Sequence, residues 1–146
     1  SRRGTTGPAA SPIGASNCPM IIGSAGNISP SSDTVGRSDL PLAGVCSFHG
    51  ILSPPEKPTG KSVRAKVLVE HGWADPMVQP DAVVAFAEEM DAAGADWQLH
   101  AHGGAVHAFT NPDANDADFG TVYNESADRR SWQSLELFLG GLFSES

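Results

Sequence analysis

Residues 64–102 read RAKVLVEHGWADPMVQPDAVVAFAEEMDAAGADWQLHAH, and their periodicity decides the fold. The run Arg64–Gly72 is apolar, rich in β-branched residues and closed by glycine, the pattern of a strand buried on both faces. Pro80 then opens a helix where its missing N–H costs nothing, and Asp81 is favourable at the positive end of the helix dipole. Val83, Val84, Phe86, Ala87, Met90 and Ala93 recur at helical spacing, and Gly94 is placed to close the helix in a left-handed conformation. Asp96–His102 returns to a strand. Strand, helix, strand with a short apolar core predicts a parallel pair joined by a crossover helix.

Working outward, LAGVCSF (Leu42–Phe48) is a further buried strand ended by His49-Gly50, followed by the proline-rich loop ILSPPEKPTGKS. Downstream of a long loop, a final helix is expected from Asp128, with Trp132, Leu135, Leu137, Phe138, Leu139, Leu142 and Phe143 on its apolar side. The order β, loop, β, α, β, α gives an α/β fold: parallel strands with flanking helices. Residues 1–38, dense in Gly, Ser and Pro, show neither period, and are expected to be irregular or disordered and not part of the native domain. Three strands alone would leave two unprotected edges and too small a core, and the chain begins at Ser1 without a methionine. Residues 39–146 are therefore expected to form the C-terminal half of a larger α/β domain.

A chain of 146 residues with net charge −8 is one globular domain in scale, and lacks the basic surface that phosphate backbones or anionic membranes need. From Val67 to Asp128 there is no Lys or Arg, which reads as an acidic, solvated face. No apolar stretch is long enough to span a bilayer. Neither Cys18 nor Cys46 lies in a CxxC arrangement, so no disulfide framework is implied and a cytoplasmic location is the expectation.

In open parallel sheets, function gathers at the carboxyl ends of the strands. HGWADPMV (His71–Val78) and GGAVHAF (Gly103–Phe109) both emerge at that edge. Asp75 can therefore meet His107, hold it in one tautomer and leave it as a general base, the acid–base half of a nucleophilic triad. A simple turn or cap is the competing role for Asp75. His100 and His102 share a strand face and could ligate zinc with His107 as a third ligand. No Cys sits nearby, and the adjacent carboxylates, Asp96 and Asp113, lie beyond the strand start and in the loop. The expectation is therefore no metal and no cofactor, with His100 and His102 as structural or surface histidines.

The run VLVEHGWADPMVQPDAVVAFAEEMDAAGADWQLHAHGGAVHAFTNPDAN, with YNESADRRSWQSLELFLGGLF after it and LPLAGVCSFHG before it, resembles the C-terminal half of the dienelactone hydrolase family of α/β-hydrolases. The resemblance runs from Leu40 to Phe143, about seven-tenths of the chain. It implies cleavage of carboxylic esters or lactones by a Cys or Ser nucleophile with an Asp and a His, here Asp75 and His107. It also implies a nucleophile elbow, G-x-C-x-G-G or G-x-S-x-G, about twenty-five residues before SFHG. No such pattern occurs. Ser24, in IIGSAGN, lies at about the right distance but with the wrong glycine spacing; Cys18 adjoins a proline; Cys46 lies in a buried strand and reads as packing. Relatives usually have an aromatic at position 102, and the dienelactone-cleaving members an arginine after the catalytic histidine, where Thr110-Asn111-Pro112 stands here. The implied substrate is a small ester or lactone other than the dienelactone, with no nucleic acid or membrane partner, and the chain alone is expected to be inactive. The competing expectation is a non-catalytic α/β-hydrolase module that binds a ligand or a partner chain; a His-ligated metal hydrolase comes third. The sequence leaves the oligomeric state open.

Overall fold

The computed structural model describes residues 20–24, 42–54 and 62–144. Its centre is a parallel sheet of four strands in the order β1-β2-β3-β4: β1 Met20–Ser24, β2 Gly44–Phe48, β3 Lys66–Gly72 and β4 Trp97–His102. Helix α1 (Pro80–Ala92) joins β3 to β4, and helix α2 (Glu125–Ser144) closes the described chain. A two-stranded antiparallel ribbon, β5 (Asn115–Asp116) with β6 (Thr121–Val122), occupies part of the segment expected to be loop.

Strand β3 explains why the helices lie on opposite faces. Its side chains alternate, and each face carries buried apolar residues. Val67 and Val69 pack with Phe86 and Met90 of α1 and with Leu52, Val63 and Val78. Leu68 packs the other way, with Cys46, Phe48, Leu135 and Phe138 beneath α2. A helix against each face is what a doubly buried strand requires.

Helix α1 keeps the expected limits: Gln79 precedes Pro80 in an extended conformation, and Gly94, at φ +65°, turns the chain so that Ala95 N–H returns to the Met90 carbonyl. Val84 faces solvent, and α1 buries Phe86 and Met90. Helix α2 begins at Glu125 rather than at Asp128, because the Asn124 side chain accepts the Ala127 N–H and caps the extra turn. It buries Leu135 and Phe138, with Leu139 and Leu142 alongside, whereas Leu137 is 79% exposed and falls off the apolar side. Trp132 lies half exposed with its ring 5.0 Å from that of Phe48.

The expectation that residues 1–38 are irregular throughout needs correction. Met20–Ser24 forms β1 and pairs in parallel with β2, Met20 level with Gly44 and Ser24 level with Phe48. Five residues of MIIGS are too few to show a period, and a parallel strand is selected by the backbone beside it rather than by its own pattern. The N-terminal segment thus supplies a strand.

Candidate active site

The loops that leave β3 and β4 are stitched together at the carboxyl edge of the sheet. Trp73 N–H donates to the His102 carbonyl (3.0 Å) and Ala74 N–H to that of Ala105 (2.9 Å). Gly72 permits the approach: a Cβ there would stand 2.6 Å from the Val106 carbonyl oxygen and 2.7 Å from that of Ala105. Gly104, at φ +74°, turns the chain out of β4. His107 is then fixed by two backbone bonds to the ribbon, its N–H to the Gly120 carbonyl (3.0 Å) and its carbonyl from Val122 N–H (3.3 Å). Gly72→Ala is expected to cost about 1–3 kcal/mol, as overpacking against backbone does. It should also part the two loops. A urea midpoint equal to that of the parent would show instead that the loop yields freely.

The stitching brings Asp75 and His107 together as expected. Asp75 Oδ2 accepts the His107 Nδ1–H at 2.8 Å, with both side chains buried. The other carboxylate oxygen, Oδ1, accepts the Met77 N–H at 2.8 Å. One aspartate therefore does both jobs weighed for it, pinning a turn and orienting a histidine. With Nδ1 donating to the carboxylate, the His107 lone pair resides on Nε2, the tautomer of a general base.

Two features of the site escaped the sequence reading. The first is His49, at the end of β2. It is buried, adopts φ +41°, and shares a bond of 2.9 Å between Nε2 and Thr110 Oγ1. Its ring lies edge-on to that of His107, centroids 5.4 Å apart. Burial, reinforced by the neighbouring His107, pushes its imidazole down to about 4 against the opposing pull of Asp75. The HG that ends the strand SFHG was the available signal.

The second is Glu70, fully buried beneath α2 and opposite His100 in the β3–β4 register. Glu70 Oε1 lies 3.0 Å from His100 Nδ1, and Oε2 2.7 Å from His102 Nε2. Ser134 Oγ on α2 adds a bond of 2.8 Å to His100 Nδ1. Of the two roles expected for the first two histidines of HAHGGAVH, structural or surface, the structural one fits: they hold a buried carboxylate. The signal was one acidic letter inside an apolar strand, VLVEHG.

The three histidines divide between two separate carboxylates. Among the described residues, no group of three or more His, Cys, Asp or Glu is arranged to hold a metal ion. Asp96 lies beside Lys66 at 3.9 Å, and Asp113 is exposed, with its N–H bonded to the side chain of Asn111. His71, on the opposite face of β3 from Glu70, is buried with no partner at either ring nitrogen; burial lowers its pKa. Cys46 is buried in the α2-side core, where desolvation and then the charge of Glu70 push its thiol up to about 12. A thiol so placed is packing, not a nucleophile. Cys18 lies outside the described residues. Ser24 stands at the carboxyl end of β1, on the same edge of the sheet as Asp75 and His107. A groove of about 610 Å³ between β4 and α2, lined by Gln98, His100, Arg130 and Leu137 among others, does not include the Asp75–His107 pair.

The model of the dienelactone hydrolase family matches residues 34–142, three-quarters of the chain. The chain belongs to the dienelactone hydrolase family. The match takes in His49, Glu70, Asp75 and His107 and begins after β1. An uncharacterized protein of Caenorhabditis elegans is 39% identical over 105 residues, which is 70% of this chain and 66% of that protein. Among solved structures, a dienelactone hydrolase-like promiscuous phosphotriesterase from metagenomic libraries is 34% identical, with a TM-score of 0.70 over 75% of this chain and 46% of its own. The structure named m3DLH is 33% identical, with a TM-score of 0.69 and the same coverages. The chain therefore spans about half the length of these dienelactone hydrolase-like structures. No helix among the described residues is long and apolar enough to cross a membrane.

Proposed function

We propose that this chain carries the acid–base half of a hydrolase site for carboxylic esters or lactones, with Asp75 orienting His107 and His107 accepting the nucleophile's proton at Nε2. The observation that supports it is the buried Asp75–His107 bond of 2.8 Å at the carboxyl edge of a parallel sheet. In acyl transfer, the nucleophile attacks the carbonyl carbon as His107 takes its proton. His107 then returns that proton to the departing alkoxide, and water repeats the cycle on the acyl-enzyme. The absence of Lys and Arg from Val67 to Asp128 favours an uncharged substrate over one bearing a carboxylate.

The nucleophile is the weak part of this site. Ser24 occupies the strand end where one belongs, but Ile22-Gly23-Ser24-Ala25-Gly26 has isoleucine where the elbow pattern has its first glycine. The chain as it stands is accordingly proposed to turn over p-nitrophenyl acetate no faster than background. Robust turnover that disappears in Ser24→Ala would overturn that inactivity and make Ser24 the nucleophile. A version given a G-x-S-x-G or G-x-C-x-G-G turn after β1 is expected to hydrolyse the ester. Should that version melt cooperatively yet cleave neither ester nor lactone, the hydrolase reading falls and a non-catalytic binding module takes its place.

A further inference from the structure

We infer that His49 is a positioning residue for the Asp75–His107 pair: its ring, hung from Thr110, is the wall that keeps the His107 imidazole from swinging off its carboxylate. The role rests on the reading of that pair as catalytic, but the geometry stands apart from turnover.

The observations converge from the backbone outward. His49 follows β2, the strand between β1 and β3, so it lies between the end of β1 and the loop that carries Asp75. Its N–H donates to the Glu70 carbonyl at 2.8 Å, and its φ of +41° is a left-handed conformation that a non-glycine residue adopts at a cost. Nε2 then reaches Thr110 Oγ1 at 2.9 Å, three residues beyond His107. Besides its two backbone bonds to the ribbon, the His107 segment is therefore held by side chains at two points, by Asp75 at the ring and by His49 at Thr110. Between the tethers, the His49 ring stands edge-on both to His107 and to Phe109, centroids 5.4 and 5.3 Å away.

A packing residue would not need to be an imidazole. Nδ1 of His49 is buried without a hydrogen-bond partner, a desolvation cost that leucine or phenylalanine would avoid. What the ring adds is the bond to Thr110 without a charge. The groups facing it are His107 and Asp75; burial and the neighbouring His107 disfavour its charged form, against the opposing pull of Asp75. A cation there would oppose the imidazolium that forms when His107 accepts a proton. A neutral ring anchors the segment without that penalty.

The test follows one proton in the full chain, the low-field Nδ1–H of His107 in its bond to Asp75, by proton NMR. His49→Asn removes the ring while tolerating the left-handed backbone. Thr110→Val cuts the hanger from the other side at nearly constant volume. In both, exchange of that proton with water should quicken by about fivefold or more, the factor that one neutral hydrogen bond represents. Amide exchange in β3 should stay as in the parent, which a general loss of structure would not allow. Unchanged exchange in either variant overturns the inference; should His49→Asn fail to fold, Thr110→Val decides it alone. No turnover is needed, so failure here leaves the hydrolase reading intact, and an inert elbow-bearing chain with a loosened proton sinks that reading only.

Discussion

In a chain bearing a nucleophile elbow after β1, His107→Ala is expected to lower kcat for p-nitrophenyl acetate by about four powers of ten or more, as loss of a triad histidine does. The reason is the proton rather than the binding. Without Nε2 the nucleophile's proton loses the base that Asp75 orients, so KM should move little while kcat collapses. Asp75→Asn should come close to the same loss while keeping the fold. Its side-chain oxygen can still accept the Met77 N–H, but its amide N–H₂ now faces His107 Nδ1. The ring must then carry its proton on Nε2, the wrong tautomer for a base. Cys46→Ser serves as the contrast, because that thiol lies in the core beneath α2. A residual rate within tenfold of the parent in His107→Ala, measured on folded protein, would remove His107 from the mechanism.

What could be read before the structure, and what could not, follows from the range of each interaction. The apolar run ending in Gly72, the Pro80 start and the Gly94 stop are local signals, and each element appears within a residue or two of its expected limits. The Asp75–His107 meeting was legible for a related reason. Consecutive parallel strands joined by one helix place their following loops side by side, so two sequence positions 32 apart become neighbours. Strand β1 was not legible, because its existence depends on the free edge of β2 and not on MIIGS itself. Glu70 was missed because its partners lie 30 and 32 residues downstream, and a lone acid in a strand carries no label naming them. His49 depended on a bond 61 residues away in sequence, to Thr110. The helix error had a local cause that was available, the Asn124 cap ahead of Glu125.

Acidification is expected to destabilise the fold between about pH 6.5 and pH 4, and His49 should account for a measurable share. The folded protein holds this imidazole at about 4, below its ordinary value of 6.5, chiefly because the charged form is desolvated. Between those two values the unfolded chain binds a proton that the folded chain does not, so stability rises with pH across the window. It is fully present above the unfolded value and lost as pH falls towards the folded one. Such a difference corresponds to roughly 3 kcal/mol, a large fraction of a small domain's stability. His71, buried and likewise lowered, acts in the same direction. Other groups titrate in this range too, so the comparison that isolates His49 is a difference of slopes. Urea unfolding of the parent and of His49→Asn at several pH values should give curves that diverge towards neutral pH and approach one another near pH 4. Parallel curves would mean that His49 takes up its proton at the same pH folded as unfolded, which its burial beside His107 with Nδ1 unpartnered argues against. The sign of the slope difference thus reports on the same neutral ring that the positioning of His107 requires.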